Sequence, residues 1–143
     1  DSALEAAKIA DGLNPYLSVI QNEIALAYCC LGKIEKGMNI WMDVMTQDTL
    51  THGAALNLAR IYRQQGHANK YGEYLAIAAN RADAPPELSI ELADYLLRRG
   101  DIIGAAEACR RSLSKGIDRS KVVALTARNS KLAEMLGFPS IEK

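Results

Sequence analysis

The stretch ALAYCCLGKIEKGMNIW, residues 25–41, returns thirty-four residues later as ARIYRQQGHANKYGEYL, residues 59–75, and again as ADYLLRRGDIIGAAEAC, residues 93–109. The identities are sparse but the register is strict. Ala25, Ala59 and Ala93 begin the three segments, Gly32, Gly66 and Gly100 divide them, and Trp41, Leu75 and Cys109 close them. A fixed period of this length marks an array of stacked helical hairpins, each too small to bury its own apolar face and completed by its neighbours. Each glycine falls where one helix of a hairpin ends, since it takes the left-handed conformation at low cost.

Outward from these segments, the apolar residues Val19, Ile20, Ile24, Ala27, Tyr28 and Leu31 recur at spacings of three and four, as one face of a helix requires. The pattern predicts full hairpins over 16–47, 51–81 and 86–115. Pro85-Pro86 marks entry to the third, and Asp101 is placed to cap its returning helix. Residues 2–13 read as the second half of an incomplete repeat. Residues 119–136 read as a single amphipathic helix that closes the array, stopped by Gly137-Phe138-Pro139. The whole of 1–143 is one all-α domain, a right-handed superhelical solenoid of antiparallel hairpins. Ala25, Ala59 and Ala93 fall where paired helices cross, opposite Gly37 and Ala105. The middle unit puts Tyr71 in that place, which predicts an outward swing of the helix or a filled gap.

The run Ile24-Ala25-Leu26-Ala27-Tyr28, followed by Gly32, Gly37, Trp41 and Val44, resembles the tetratricopeptide repeat. Ala59, Tyr62, Gly66, Leu75 and Ala78 repeat the pattern, and Ala93, Leu96, Gly100, Ala105 and Ser112 keep it more loosely. Ala3, Ala7, Ala10 and Pro15 match the second helix of a preceding unit, so the resemblance spans residues 2–117. It implies a noncatalytic scaffold or adaptor that holds a peptide or helix of a partner protein. It implies further that the first helix of each hairpin lines a concave groove. The groove residues are then Val19, Asn22, Leu26 and Cys29, beside Cys30, on the first unit, and Leu56, Arg60, Arg63 and Gln64 on the second. Ile90, Asp94, Leu97 and Arg98 complete the set on the third. Arg60 and Arg63 lead the list, because arginines are hard to bury without a partner. One subtype of the family grips chaperone C-terminal carboxylates with lysines, asparagines and an arginine. Here those places hold Asn22, Leu26, Asn57, Glu87 and Glu91, and the two acids would repel such a terminus.

Composition narrows the alternatives. With 17 basic and 17 acidic residues the chain has no overall nucleic-acid signature. The balance is uneven along the array: 7 basic against 12 acidic residues up to Leu97, then 10 against 5. An acidic end and a basic end favour charge-guided docking of a partner or of a second copy. The basic pairs Arg98-Arg99 and Arg110-Arg111 have no interleaved aromatic residues for base stacking. The longest apolar run, Ile24 to Leu31, is too short to insert in a membrane. Cys29, Cys30 and Cys109 read as reduced, which favours the cytoplasm. His52 and His67 read as turn residues on the surface. No nucleophile elbow, phosphate loop or metal-ligand spacing occurs, so the reading is of no enzyme, no cofactor and no metal. The opening Asp1 and the half repeat point to a piece of a longer protein. Two further readings stay open: a homo-oligomer built through the array ends, and an accessory region of a larger enzyme.

Overall fold

The computed structural model describes residues 17–139, and over that range the chain is all-α. Eight helices follow one another among the described residues: α1 Leu17–Cys30, α2 Ile34–Gln47, α3 Gly53–Gln64, α4 Ala68–Ala79, α5 Pro86–Arg98, α6 Ile102–Ser114, α7 Arg119–Thr126 and α8 Ser130–Leu136. Helices α1 and α2, α3 and α4, and α5 and α6 form three hairpins, and α2 on α3 and α4 on α5 join one hairpin to the next. The half repeat expected at 2–13 lies outside the described residues.

The turn inside each hairpin is the same small machine. Gly32, Gly66 and Gly100 take φ values of 81°, 79° and 84°. The residue after each donates its N–H to a carbonyl five positions back: Lys33 to Tyr28, His67 to Tyr62, Asp101 to Leu96, all at 2.9 Å. This pairing satisfies carbonyls that the helix end leaves bare, and the short connection obliges the next helix to run back along the first. Asp101 does cap α6, its carboxylate accepting from the Gly104 N–H at 2.9 Å.

Small residues fix how closely the helices lie. Ala25, Ala59, Ala93 and Ala105 are fully buried. A Cβ on Gly37 would strike the Ala25 carbonyl and the Cys29 sulfur, so α1 and α2 meet there backbone to backbone. In the middle unit Tyr71 displaces this role. Its side chain stays half-buried, edge-on to Tyr95 of α5 with ring centroids 5.7 Å apart. The neighbouring Gly72 makes a close approach of a different kind, to the following hairpin, because a Cβ there would collide with the Tyr95 ring. Tyr71 therefore fills the space toward the following hairpin. Trp41, Leu75 and Cys109 are all but fully buried, as their register requires.

The stretch 119–136 departs from the expected single helix. Helix α7 ends at Thr126, and α8 restarts at Ser130. Asn129 is extended at φ −155° and its side-chain oxygen accepts from the Leu132 N–H at 2.9 Å. An asparagine bonded this way starts a new helix rather than continuing the old one. The break turns α8 back onto α6, burying Leu132 and Ala133.

A second periodic device ties the hairpins together. Arg81, just past α4, donates to the carbonyls of Met45 and Asp48 at 3.1 Å each. Lys115, one period on, donates to the carbonyls of Arg81 at 3.4 Å and Ala84 at 3.0 Å. Each cation thus reaches the carboxyl end of the preceding unit's second helix, where unpaired carbonyls and the helix dipole favour it. His52 makes a related link, its N–H donating to Asp83 at 2.8 Å and its ring nitrogen Nδ1 lying 3.0 Å from the same oxygen.

Two stability tests follow from these contacts. Gly66→Ala has no steric neighbour and costs about 1–2 kcal/mol through the backbone alone. Gly72→Ala destabilises through the Tyr95 ring although helix propensity by itself favours alanine by about 1 kcal/mol; a rise in the urea midpoint for Gly72→Ala contradicts that packing. Arg81→Ala, which strips two part-buried carbonyls of their donor, lowers stability by about 1–2 kcal/mol in the same urea titration.

Candidate functional site

Equivalent residues of successive first helices become neighbours in space. Glu87 of α5 meets Lys121 of α7 at 3.9 Å, and Asp94 of α5 pairs with Arg128 just beyond α7. Each pair is separated by one period. Extending that register backward gives two rows across the array, Val19–Gly53–Glu87–Lys121 and Leu26–Arg60–Asp94–Arg128. The Asn22 side chain of α1 reaches α3 beside the first row, since a Cβ on Gly53 would lie 3.4 Å from its amide nitrogen. The two rows are seven residues apart, two helical turns, so together they bound one face of α1, α3, α5 and α7.

The face changes character from one helix to the next. On α1, Val19 is 61% and Leu26 48% exposed. On α3, Arg60, Arg63 and Gln64 are exposed, and neither arginine has an ion-pair partner among the described residues. The Arg63 guanidinium lies 5.6 Å from the centre of the Tyr71 ring, over its face. The Tyr71 hydroxyl donates to Glu91 of α5 at 2.5 Å. Burial first, and then that bond to a carboxylate, push the Tyr71 phenol well above its usual range. On α5, Arg98 reaches Asp94 at 3.1 Å, so both carboxylate oxygens are occupied, one by Arg98 and one by Arg128. Partial burial pushes the Asp94 carboxyl up, but the two arginines outweigh it and hold the group below the usual carboxylate range.

Not every residue expected in the groove stands free in it. Leu56, Ile90 and Leu97 are half-buried and pack against the core. Asn22 is half-buried, and its side-chain oxygen has no hydrogen-bond partner among the described residues. The Cys29 thiol turns away, to the α1–α2 crossing beside Gly37, because only a glycine leaves room for it there. Burial, and next the adjacent Cys30 thiol, raise its pKa. Tyr71 and Glu91 were not among the expected groove residues, yet the Tyr71 ring lies against Arg63 and its hydroxyl engages Glu91. The signal for Tyr71 was its bulk at a small-residue position.

Among the described residues no group of three His, Cys, Asp or Glu is placed to hold a metal ion. No described helix is long and apolar enough to cross a membrane. Cys109 is buried and its pKa is pushed up to about 11 by that burial. At pH 7.5 a thiol reagent modifies the exposed Cys30 first, Cys29 more slowly, and Cys109 only after denaturant is added. Equal rates at the three sites, read by mass spectrometry of the digested protein, contradict these placements.

No family model matches the sequence, and no curated protein matches it. Among solved structures, the fold is similar to that of the Yersinia enterocolitica type III secretion chaperone SycD, crystallised in complex with a peptide of the translocator YopD. The match has a TM-score of 0.50 and covers 82% of this chain and 87% of that chain at 16% sequence identity. The helical-hairpin array expected from the tetratricopeptide resemblance is the fold the two proteins share.

Proposed function

We propose that this chain is a noncatalytic scaffold that holds a segment of a partner protein along the face formed by α1, α3, α5 and α7. The observation that carries the reading is the juxtaposition of exposed apolar side chains, Val19 and Leu26, with arginines, Arg60 and Arg63, that have no ion-pair partner among the described residues. Apolar residues anchor a peptide and charged ones orient it, so such a face suits an extended or helical segment. The shared fold supports the same reading, since SycD was crystallised with a translocator peptide. Val19, Asn22, Leu26, Leu56, Arg60, Arg63, Gln64, Ile90, Asp94, Leu97 and Arg98 are the proposed contact residues. Asp94 acts there as an organiser of Arg98 and Arg128 rather than as a free acid.

A second reading, self-association through the first hairpin, rests on a different surface. Ile20 is 49% exposed, whereas the equivalent Ala54 and Leu88 are 1% and 4% exposed beneath the preceding hairpin. Leu31, on the same side of α1, is 73% exposed. Such an apolar face on the first described helix is stabilised when something covers it.

A displayed library of random peptides, panned on the native chain and on Leu26→Asp, tests the first reading. Leu26 lies at the surface, so the variant keeps the helical circular dichroism of the native chain. Selected peptides lose about tenfold or more in affinity for the variant. Peptides that bind both chains equally, or a library that yields none, remove the groove. Sedimentation over a range of concentrations settles the second reading: a monomer throughout ends it.

A further inference from the structure

Charge along the groove is compensated on one side only. At the α5–α7 side, Glu87 is met by Lys121 and Asp94 by both Arg98 and Arg128. At the α3 position of the same row, Arg60 stands exposed with no ion-pair partner among the described residues, and Arg63, one turn on, lies against an aromatic ring. Glu91 of α5 accepts from the Tyr71 hydroxyl and forms no ion pair with either arginine. Around this point four arginines, 60, 63, 98 and 128, face two carboxylates, Glu91 and Asp94. On the other side, α1 offers Leu26 in the same row as Arg60, and Val19 two turns earlier. The groove therefore passes from apolar to cationic to neutralised as it crosses α1, α3 and α5.

We infer that the partner segment is an acidic–apolar peptide, crossing the helices in extended form, with an apolar side chain on Leu26 and Val19 and a carboxylate at Arg60 and Arg63 about three residues away. The inference deepens the peptide-binding reading and rests on it. The spacing is an order-of-magnitude expectation: helices packed side by side lie about 8–10 Å apart, and an extended chain advances about 3.3 Å per residue. The choice of a carboxylate comes from chemistry. Guanidinium groups present planar, forked donors that match a carboxylate, and stacking on Tyr71 fixes one of them in advance. A basic residue at that point would meet uncompensated positive charge and be rejected.

The test is a synthetic peptide array in a neutral serine background. One leucine is fixed, and a single glutamate or lysine is walked from one to six residues away on either side. Binding to the native chain peaks with glutamate about three residues from leucine, on one side, and falls about tenfold when lysine replaces glutamate. Raising the salt concentration narrows that difference. Arg60→Glu with Arg63→Glu, checked by circular dichroism, exchanges the preference so that the lysine peptide binds better. Exchange of preference, unlike simple loss, does not arise from a misfolded chain. Glutamate and lysine peptides that bind alike, a peak that ignores spacing, or a double variant that keeps the native preference overturns the inference while leaving the groove in place. Self-association that Leu26→Asp abolishes assigns the surface to a second copy and also overturns it. No binding by any member of the array, together with failure of the displayed library, removes the groove itself.

Discussion

Close contact between helices at Ala25, Ala59 and Ala93 is the constraint from which the array is built. These residues are fully buried. At Gly37 the first and second helices approach so closely that a single added methyl group would strike backbone and sulfur. At that distance a bulky side chain has nowhere to go, because interiors are packed too densely to yield. The repeated small residue lets the paired helices of each hairpin cross closely, and at α5 and α7 equivalent residues come into line. The rows across the groove, and the pairing of Glu87 with Lys121 and of Asp94 with Arg128, follow from that alignment.

The alignment gives each substitution along the period a spatial meaning. Leucine at 26, arginine at 60, aspartate at 94 and arginine at 128 are four choices at one place in the repeat. In a single helix they would be unrelated. Side by side, the last two neutralise each other, the second has no ion-pair partner among the described residues, and the first is apolar surface. The acidic and basic halves of the chain meet in the same way. Part of the charge asymmetry that suggests docking between ends is consumed inside the molecule, at the α5–α7 boundary.

Tyr71 is where the repeat gives up regularity. Tyr71 holds the register position of Gly37 and Ala105, but its ring turns toward α5, and the neighbouring Gly72 leaves room for Tyr95 of the following hairpin. The ring then serves two neighbours: a surface beneath Arg63 and a hydroxyl for Glu91. A cation on an aromatic face keeps its charge available outward, whereas an ion pair would cancel it. The departure from the pattern lies within the candidate site, where one tyrosine contacts both an arginine and an acid.

The sequence by itself determined the period, the hairpins and their turns. Those features depend on local chemistry: a glycine free to take positive φ, apolar residues at helical spacing, and small residues at one fixed place. It also marked the exposed arginines of α3, since long cations resist burial. Other features were decided by tertiary structure. The clip from Arg81 and Lys115 to the preceding unit was written in the register of two basic residues, but its acceptors are backbone carbonyls, which no side-chain pattern displays. The break at Asn129 followed from a single side-chain bond competing with a continuous apolar stripe. The inward turn of Cys29 depended on the room beside Gly37. Local rules place residues on a helix face; which of them remain available to a partner is fixed only when neighbouring helices bring acids, rings and carbonyls within reach.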